Sequence, residues 1–360
     1  MRVLFPLVVI FLLSACSDIG YYWHSTKGHL SIMNKRVDID DMLQQPDLDP
    51  SLRQRLLLVQ QIRTFSISTL SLPDTGSYTN YASLDRPYVL QNLFAAGEFS
   101  TQLHSWCYPI VGCTSYRGYY DEKLLSEYVD QLKAQNFDTY VNYVTAYSTL
   151  GWFDDPVLSS FIDWPDYRLA GLLFHELTHQ RIYIDDDTQF NESLAVAVQQ
   201  AGTELWLKSA RDDKQIDEFR RWVEYRNEVI SLIEQTGEKL DQLYKSEMDE
   251  TIKRDKKAAI FAGSREDYSV IARRLNYNGG FEDWFAGELN NAKIGSISAY
   301  NTHAPAFLAM ITALNYDFAA FFDHVDEIGA MDRAAREQCL VSWGNGSVFD
   351  DDKCPKIALP

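Results

Sequence analysis

The run HELTHQ at residues 175–180 constrains this chain more than any other stretch. Positions four apart lie on one face of an α-helix, so His175 and His179 can aim their ring nitrogens at a single ion. Such a pair suits zinc, which takes nitrogen, sulfur and oxygen donors in a tetrahedron. Glu176 would stand to one side of that ion, where a carboxylate can accept a proton from polarised water and hand it to a leaving amine. The flanks favour a buried helix: Pro165 suits a first turn, and Leu169, Leu172, Leu173 and Leu177 recur at helical spacing. Buried histidines beside a buried glutamate are costly unless something pairs them, and a metal does so directly. The plainer alternative is a core helix with two hydrogen-bonded histidines.

A hydrolytic zinc site needs a third protein donor and an open position for water. Phe190-Asn191-Glu192-Ser193-Leu194-Ala195 opens the next helical stretch, and the DDDT run before it leaves room to turn, which makes Glu192 the candidate. Asp185 is a rival at the spacing of metzincin-like sites, although Ile182 stands where those sites have a turn-permitting glycine. HELTHQ followed by FNESLA resembles the HExxH plus NExxA pattern of gluzincin peptidases, including the aminopeptidase N type. More closely, the chain resembles the bacterial predicted zinc aminopeptidase lipoprotein family. The likeness runs through GYYWHSTKGHL, WCYPIVGCTSYRGYYDE, AYSTLGWFDDPVLS, FHELTHQ and FNESLAVAVQ, over most of residues 16–320.

That resemblance implies one zinc ion held by His175, His179 and Glu192, with Glu176 as general base and acid, and removal of N-terminal residues from peptides. It implies an extended edge at AYSTLGWFDDP, with main-chain partners from Tyr147 to Gly151 and apolar contacts from Trp152 and Phe153. It also puts the oxyanion donor in LNNAKIGSISAYNTHAPAF, as Tyr300 or His303. The chain departs from the pattern where many gluzincins carry an acidic residue that orients a zinc-bound histidine, since those places hold Ala195 and Val196. An aminopeptidase must also hold a free α-amino group; Glu98, Asp154, Asp155 and Asp185 to Asp187 are candidates among which the sequence does not choose. The residues alone support zinc-dependent peptide hydrolysis. An endopeptidase of the cell envelope, or a non-catalytic zinc-stabilised binding lipoprotein, are the alternatives.

The N-terminus reads as an export signal over residues 1–15: Arg2, an apolar run from Val3 to Leu13, then small residues. Leu13-Ser14-Ala15-Cys16 resembles the lipobox of bacterial lipoproteins, which implies lipidation of Cys16 and a periplasm-facing place in the cell envelope. Ser17, where inner-membrane lipoproteins often carry Asp, points to the outer membrane. Cys107, Cys113, Cys339 and Cys354 remain, and local bridges 107–113 and 339–354 are the expected ones of three connectivities. A net charge of −18 without a basic run excludes nucleic acid as a partner, and leaves membrane attachment to the lipid.

Residues 16–360 read as one domain of α+β class, mostly helical with a small mixed sheet beside the zinc-binding helix. Within it, 16–85 is a helical layer with helices over 20–35 and 51–70, and 86–150 is β-rich around an amphipathic helix at 121–135. Residues 151–330 carry the site and long charged helices, and 331–360 form a tail.

Overall fold

Aspartate starts most of the long helices. Asp38, Asp49, Asp121, Asp187, Asp212, Asp249 and Asp317 each stand at an N-cap and accept a backbone N–H of the first turn, satisfying donors that the helix itself cannot pair. Seven of the chain's 51 acidic residues thus serve the fold as caps. The computed structural model describes residues 20–108, 112–146, 149, 153–277, 280–298, 303–344, 346 and 354–355.

The described chain begins with α1 over 20–33, followed by β1 (Arg36–Asp38), α2 (Ile39–Leu43) and α3 (Pro50–Ser68). Next come β2 (Asn80–Ala82), β3 (Leu90–Gly97), β4 (Trp106–Tyr108), β5 (Gly112–Thr114), β6 (Arg117–Tyr119), α4 (Glu122–Ala134), β7 (Phe137–Val144) and β8 (Val157–Leu158). The helical remainder is α5 (Asp166–Arg181), α6 (Thr188–Ala210), α7 (Asp213–Lys245), α8 (Glu250–Leu275), α9 (Glu282–Ala286), α10 (Asn291–Ser298), α11 (Ala304–Ala313), α12 (Phe318–Gly329) and α13 (Arg333–Gly344). The α+β class holds, and the helices expected near 51–70 and 121–135 form within a residue or two of those limits.

The expected single sheet is three small ones. β2 pairs antiparallel with β1 and parallel with β8; β3 pairs antiparallel with β6 and β7; β4 and β5 make a hairpin. β1, β2 and β8 are two or three residues long, too short for alternation to show in the sequence. The long helical pattern from Asp213 to Leu275 is likewise interrupted, by a break between Lys245 and Glu250 where Asp249 caps a new helix. Both local disulfides form, Cys107–Cys113 across the β4–β5 hairpin and Cys339–Cys354 at the end of α13.

The interior lies mainly in two clusters. In the larger, Leu169, Leu173, Phe174 and Leu177 of α5 pack on Leu194, Ala197, Val198 and Ala201 of α6, with Leu56, Val59 and Ile62 of α3 and Phe307 and Met310 of α11 closing around them. The second joins Tyr225, Val229, Ile233 and Leu240 of α7 to Phe261 and Tyr268 of α8 and Phe285 of α9. Gly202 lets α6 approach closely: a Cβ there would lie 2.7 Å from Leu70. α5 is thus buried on nearly all sides, and its polar face meets α6.

Candidate metal centre

On α5, His175 and His179 face the same way, as their spacing requires, with Nε2 atoms 3.2 Å apart and rings edge to face. α6 returns antiparallel after a short loop whose geometry is fixed by two side chains. Asn191 holds the backbone of Ile184 at both atoms, accepting its N–H at 2.9 Å and donating to its carbonyl at 2.8 Å. Asp187 caps α6 and forms a buried ion pair at 2.6 Å with Arg336 of α13, which also donates to the carbonyls of Gly329 and Met331. With the loop pinned, Glu192 in the first turns of α6 faces the histidines, Oε2 lying 3.4 Å from Nε2 of His175 and Oε1 3.7 Å from Nε2 of His179.

The three donors lie within 4.8 Å of one another. A tetrahedral zinc ion with bonds of about 2.0–2.1 Å keeps its donors roughly 3.3–3.4 Å apart, so the nitrogen pair and the nearest carboxylate oxygen have the right chemistry and spacing. Without such an ion, two ring nitrogens and a carboxylate crowd one point. Asp185 is not in this group; it lies in the loop after α5 and acts on the Tyr183 phenol.

Electrostatics sharpen the contrast among the four side chains. Burial works against charge on His175, but the hydrogen bond to Glu192 and the charges of Glu176 and Glu192 outweigh it and raise its pKa. Burial and the neighbouring His175 lower His179 to about 4. Burial opposes ionisation of Glu192 too, yet the two histidines hold its carboxyl below the usual range. Glu176, also buried, is pushed up to about 7 by burial, with His175 opposing and Glu192 and Asp155 adding to the rise. A carboxyl raised towards neutrality is suited to taking and returning protons.

The places of Ala195 and Val196 leave the histidines without a carboxylate partner from that turn. Gln199, two turns after Glu192 on α6, is the neutral side chain that acts on His175; the contact is too loose for an ordinary hydrogen bond, and both Nδ1 atoms are buried without one.

Three tyrosines that the sequence reading passed over surround the site. Tyr78 is buried, has a positive φ of 62°, and places its phenol beside Glu176 and Asp155; burial and then those charges raise its pKa. The loop carrying it is tied to HELTHQ, since Gln180 donates to Ser77 at 3.0 Å and accepts from Thr75 at 2.8 Å, and the Tyr78 N–H donates to the Asp155 carbonyl. Tyr116, just beyond the β4–β5 hairpin, and Tyr183, after α5, keep 37% and 46% of their surface open. Yet crowding by surrounding protein raises both phenol pKa values, and Glu192 is the next cause for each. Both phenols therefore keep their protons near neutral pH beside the donor cluster. Sequence distance hid Tyr116, which the hairpin carries to the site; there Gly112, at a positive φ of 71°, runs beside the Asp186 carboxylate.

His303 is fastened beside Glu192: its backbone N–H donates to Ser193 Oγ at 3.1 Å, and its buried ring, lowered in pKa by burial, feels the charges of Glu337 and Asp187. Tyr300 lies outside the described residues, as do Cys16, Tyr147, Ser148, Leu150, Gly151 and Trp152. Of the expected edge, Thr149 and Phe153 are described: Thr149 Oγ1 exchanges hydrogen bonds with the N–H and carbonyl of Phe153, and the Thr149 N–H donates to the Asp155 carboxylate. Of the residues considered for an α-amino group, Glu98 pairs with Arg254 and Asp187 with Arg336, whereas Asp155 is buried close to Glu176.

No curated protein and no solved structure matches the chain. A family model does, over residues 20–340 of 360, a span that includes every element of the candidate centre; the chain belongs to the family described as “Putative aminopeptidase”.

Proposed function

We propose that this protein is a zinc-dependent peptidase, acting as an aminopeptidase at the site formed by α5 and α6. The observation that carries the reading is the donor cluster of His175, His179 and Glu192 with the buried Glu176, its carboxyl pushed up to about 7, beside it. Zinc bound there would supply Lewis-acid polarisation of the scissile carbonyl and of the attacking water. Glu176 takes the proton from that water and returns it to the leaving amine. Tyr116 and Tyr183 retain their phenolic protons and line the open side, so they supplement Tyr300 and His303 as candidates for the donor to the developing oxyanion. The family supports a peptide substrate and the aminopeptidase label. Attachment to the cell envelope is assigned to lipid on Cys16, facing the periplasm; among the described residues no helix is long and apolar enough to cross a membrane.

The test is turnover of an unbiased peptide library by the form starting after Cys16, read by mass spectrometry. Stepwise loss of N-terminal residues is expected, with N-terminally blocked peptides left intact; cleavage of blocked peptides would make it an endopeptidase. Glu176→Gln should keep its zinc and lose roughly 10²–10⁴-fold in rate, the range for loss of an acid–base group. Unchanged turnover in that variant would overturn the mechanism. No cleavage of any peptide by the zinc-loaded protein would favour a binding role.

A further inference from the structure

We infer that the outward face of α1 lies in the headgroup layer of a phospholipid bilayer, holding the folded body against the membrane at a set orientation. The inference rests on the lipid-anchor reading of Cys16 given above.

The inner face of α1 is fastened to the body by specific contacts. Tyr21 stacks on Tyr108 and lies under the Arg117 guanidinium, 4.0 Å from the ring centre. His24 Nε2 accepts the Tyr120 N–H at 2.8 Å. Gly28 passes so close to Tyr120 that a Cβ would lie 2.2 Å from its ring, and Ile32 and Met33 are buried. The opposite face is then turned outward, and it carries Trp23, Lys27 and Leu30, at helical spacing, with Tyr22 at its margin. Trp23 is 73% exposed, more than any other large apolar side chain among the described residues.

Two observations select a lipid surface as what covers this face. The first is charge: residues 20–35 contain no acidic residue, in a chain whose net charge is −18, and while Lys35 pairs with Asp85 at 2.7 Å, Lys27 stands exposed on the outward face. A locally cationic, aromatic helix suits anionic headgroups, whereas the rest of the molecule is repelled by them. The second is chain length. Gly20, the first described residue of α1, is four residues from Cys16 in sequence, and four residues extend at most about 14 Å, so an acylated Cys16 would hold this end of α1 at the membrane. Tryptophan and tyrosine concentrate at that depth, where the ring is partly apolar and its N–H or O–H stays wet.

The experiment supplies the anchor chemically, so that it does not depend on acylation in the cell. The chain starting at Cys16 is coupled through the Cys16 thiol to a maleimide phospholipid in phosphatidylethanolamine–phosphatidylglycerol vesicles with brominated acyl chains; the other four cysteines are in disulfides. Bromine should quench part of the tryptophan emission, and Trp23→Phe should remove about half or more of the quenchable signal, as one interfacial ring among buried ones requires. Lys27→Glu should also reduce quenching in these vesicles. Equal quenching in wild type and Trp23→Phe, or none in either, would overturn the inference. So would a dimer of the uncoupled protein that Trp23→Asp dissolves in sedimentation, because a second copy would then be the occupant. Mass analysis of the native N-terminus tests the lipid anchor separately, so its failure and that of the α1 face are distinguishable.

Discussion

Asn191 and Glu192 are neighbours with separate duties: the amide fastens the loop at Ile184, and the carboxylate is left to face His175 and His179. This separates the two candidate third ligands experimentally. Glu192→Ala should abolish stoichiometric zinc binding, a larger effect than the roughly 10–100-fold that loss of an outer partner costs, while Asp185→Ala should bind zinc as the wild type does. Metal content after dialysis checks both; zinc retained by Glu192→Ala and lost by Asp185→Ala would reverse the assignment. At this scale the sequence was informative where spacing is local. Two histidines and a glutamate within one helical turn announce a shared face, and FNESLA announces the start of the next helix. Tyr78 and Tyr116 gave no such sign, because each reaches the site through a turn or a disulfide-closed hairpin whose path depends on tertiary contacts. The departure at Ala195 and Val196 was legible, but not what stands in its place: Gln199 faces His175 only because α6 packs on α5 in this register.

Among elements, the start of α6 is the most heavily braced. Asp187 serves as its N-cap and as the buried partner of Arg336. Asp187→Ala should therefore destabilise the fold by about 3–5 kcal/mol, the cost of leaving a buried charge without its partner. Urea unfolding measures this; a loss below about 1 kcal/mol, typical of an exposed ion pair, would show that the pairing is incidental. The limits of α3 and α4 could be read from the sequence to within a residue or two, whereas α6, read as opening at FNESLA, starts a little earlier at Thr188 behind its Asp187 cap. The sheets could not: β1, β2 and β8 are held by partners far off in the chain, and a two- or three-residue strand has no periodicity to read. The long helical patterns within Asp213 to Leu275 were legible, but the charged pattern does not by itself place the break that Asp249 caps.

For the whole molecule, the donor cluster joins α5 to α6 inside the larger core, so on the zinc reading a bound ion would add to global stability. Chelation should lower the thermal midpoint and added zinc should restore it, with a stabilisation of about 4 kcal/mol when free zinc is a thousandfold above its Kd. Calorimetry on Glu176→Gln should show the same shift, and on Glu192→Ala none. A midpoint indifferent to chelator in the wild type would count against a bound ion. The helical character of the molecule was legible from composition and periodicity, whereas the separation of its two largest hydrophobic clusters was not, since α7 contributes to both without any change in pattern along its length.

The Arg336 ion pair also sets an order of events. α5 and α6, with His175, His179 and Glu192, leave the ribosome long before α13 is made. Until then Asp187 lacks the Arg336 guanidinium and the loop carrying Asn191 lacks that brace. The nascent chain holds all three donors early, yet it completes the support beneath them only with α13, the last helix among the described residues.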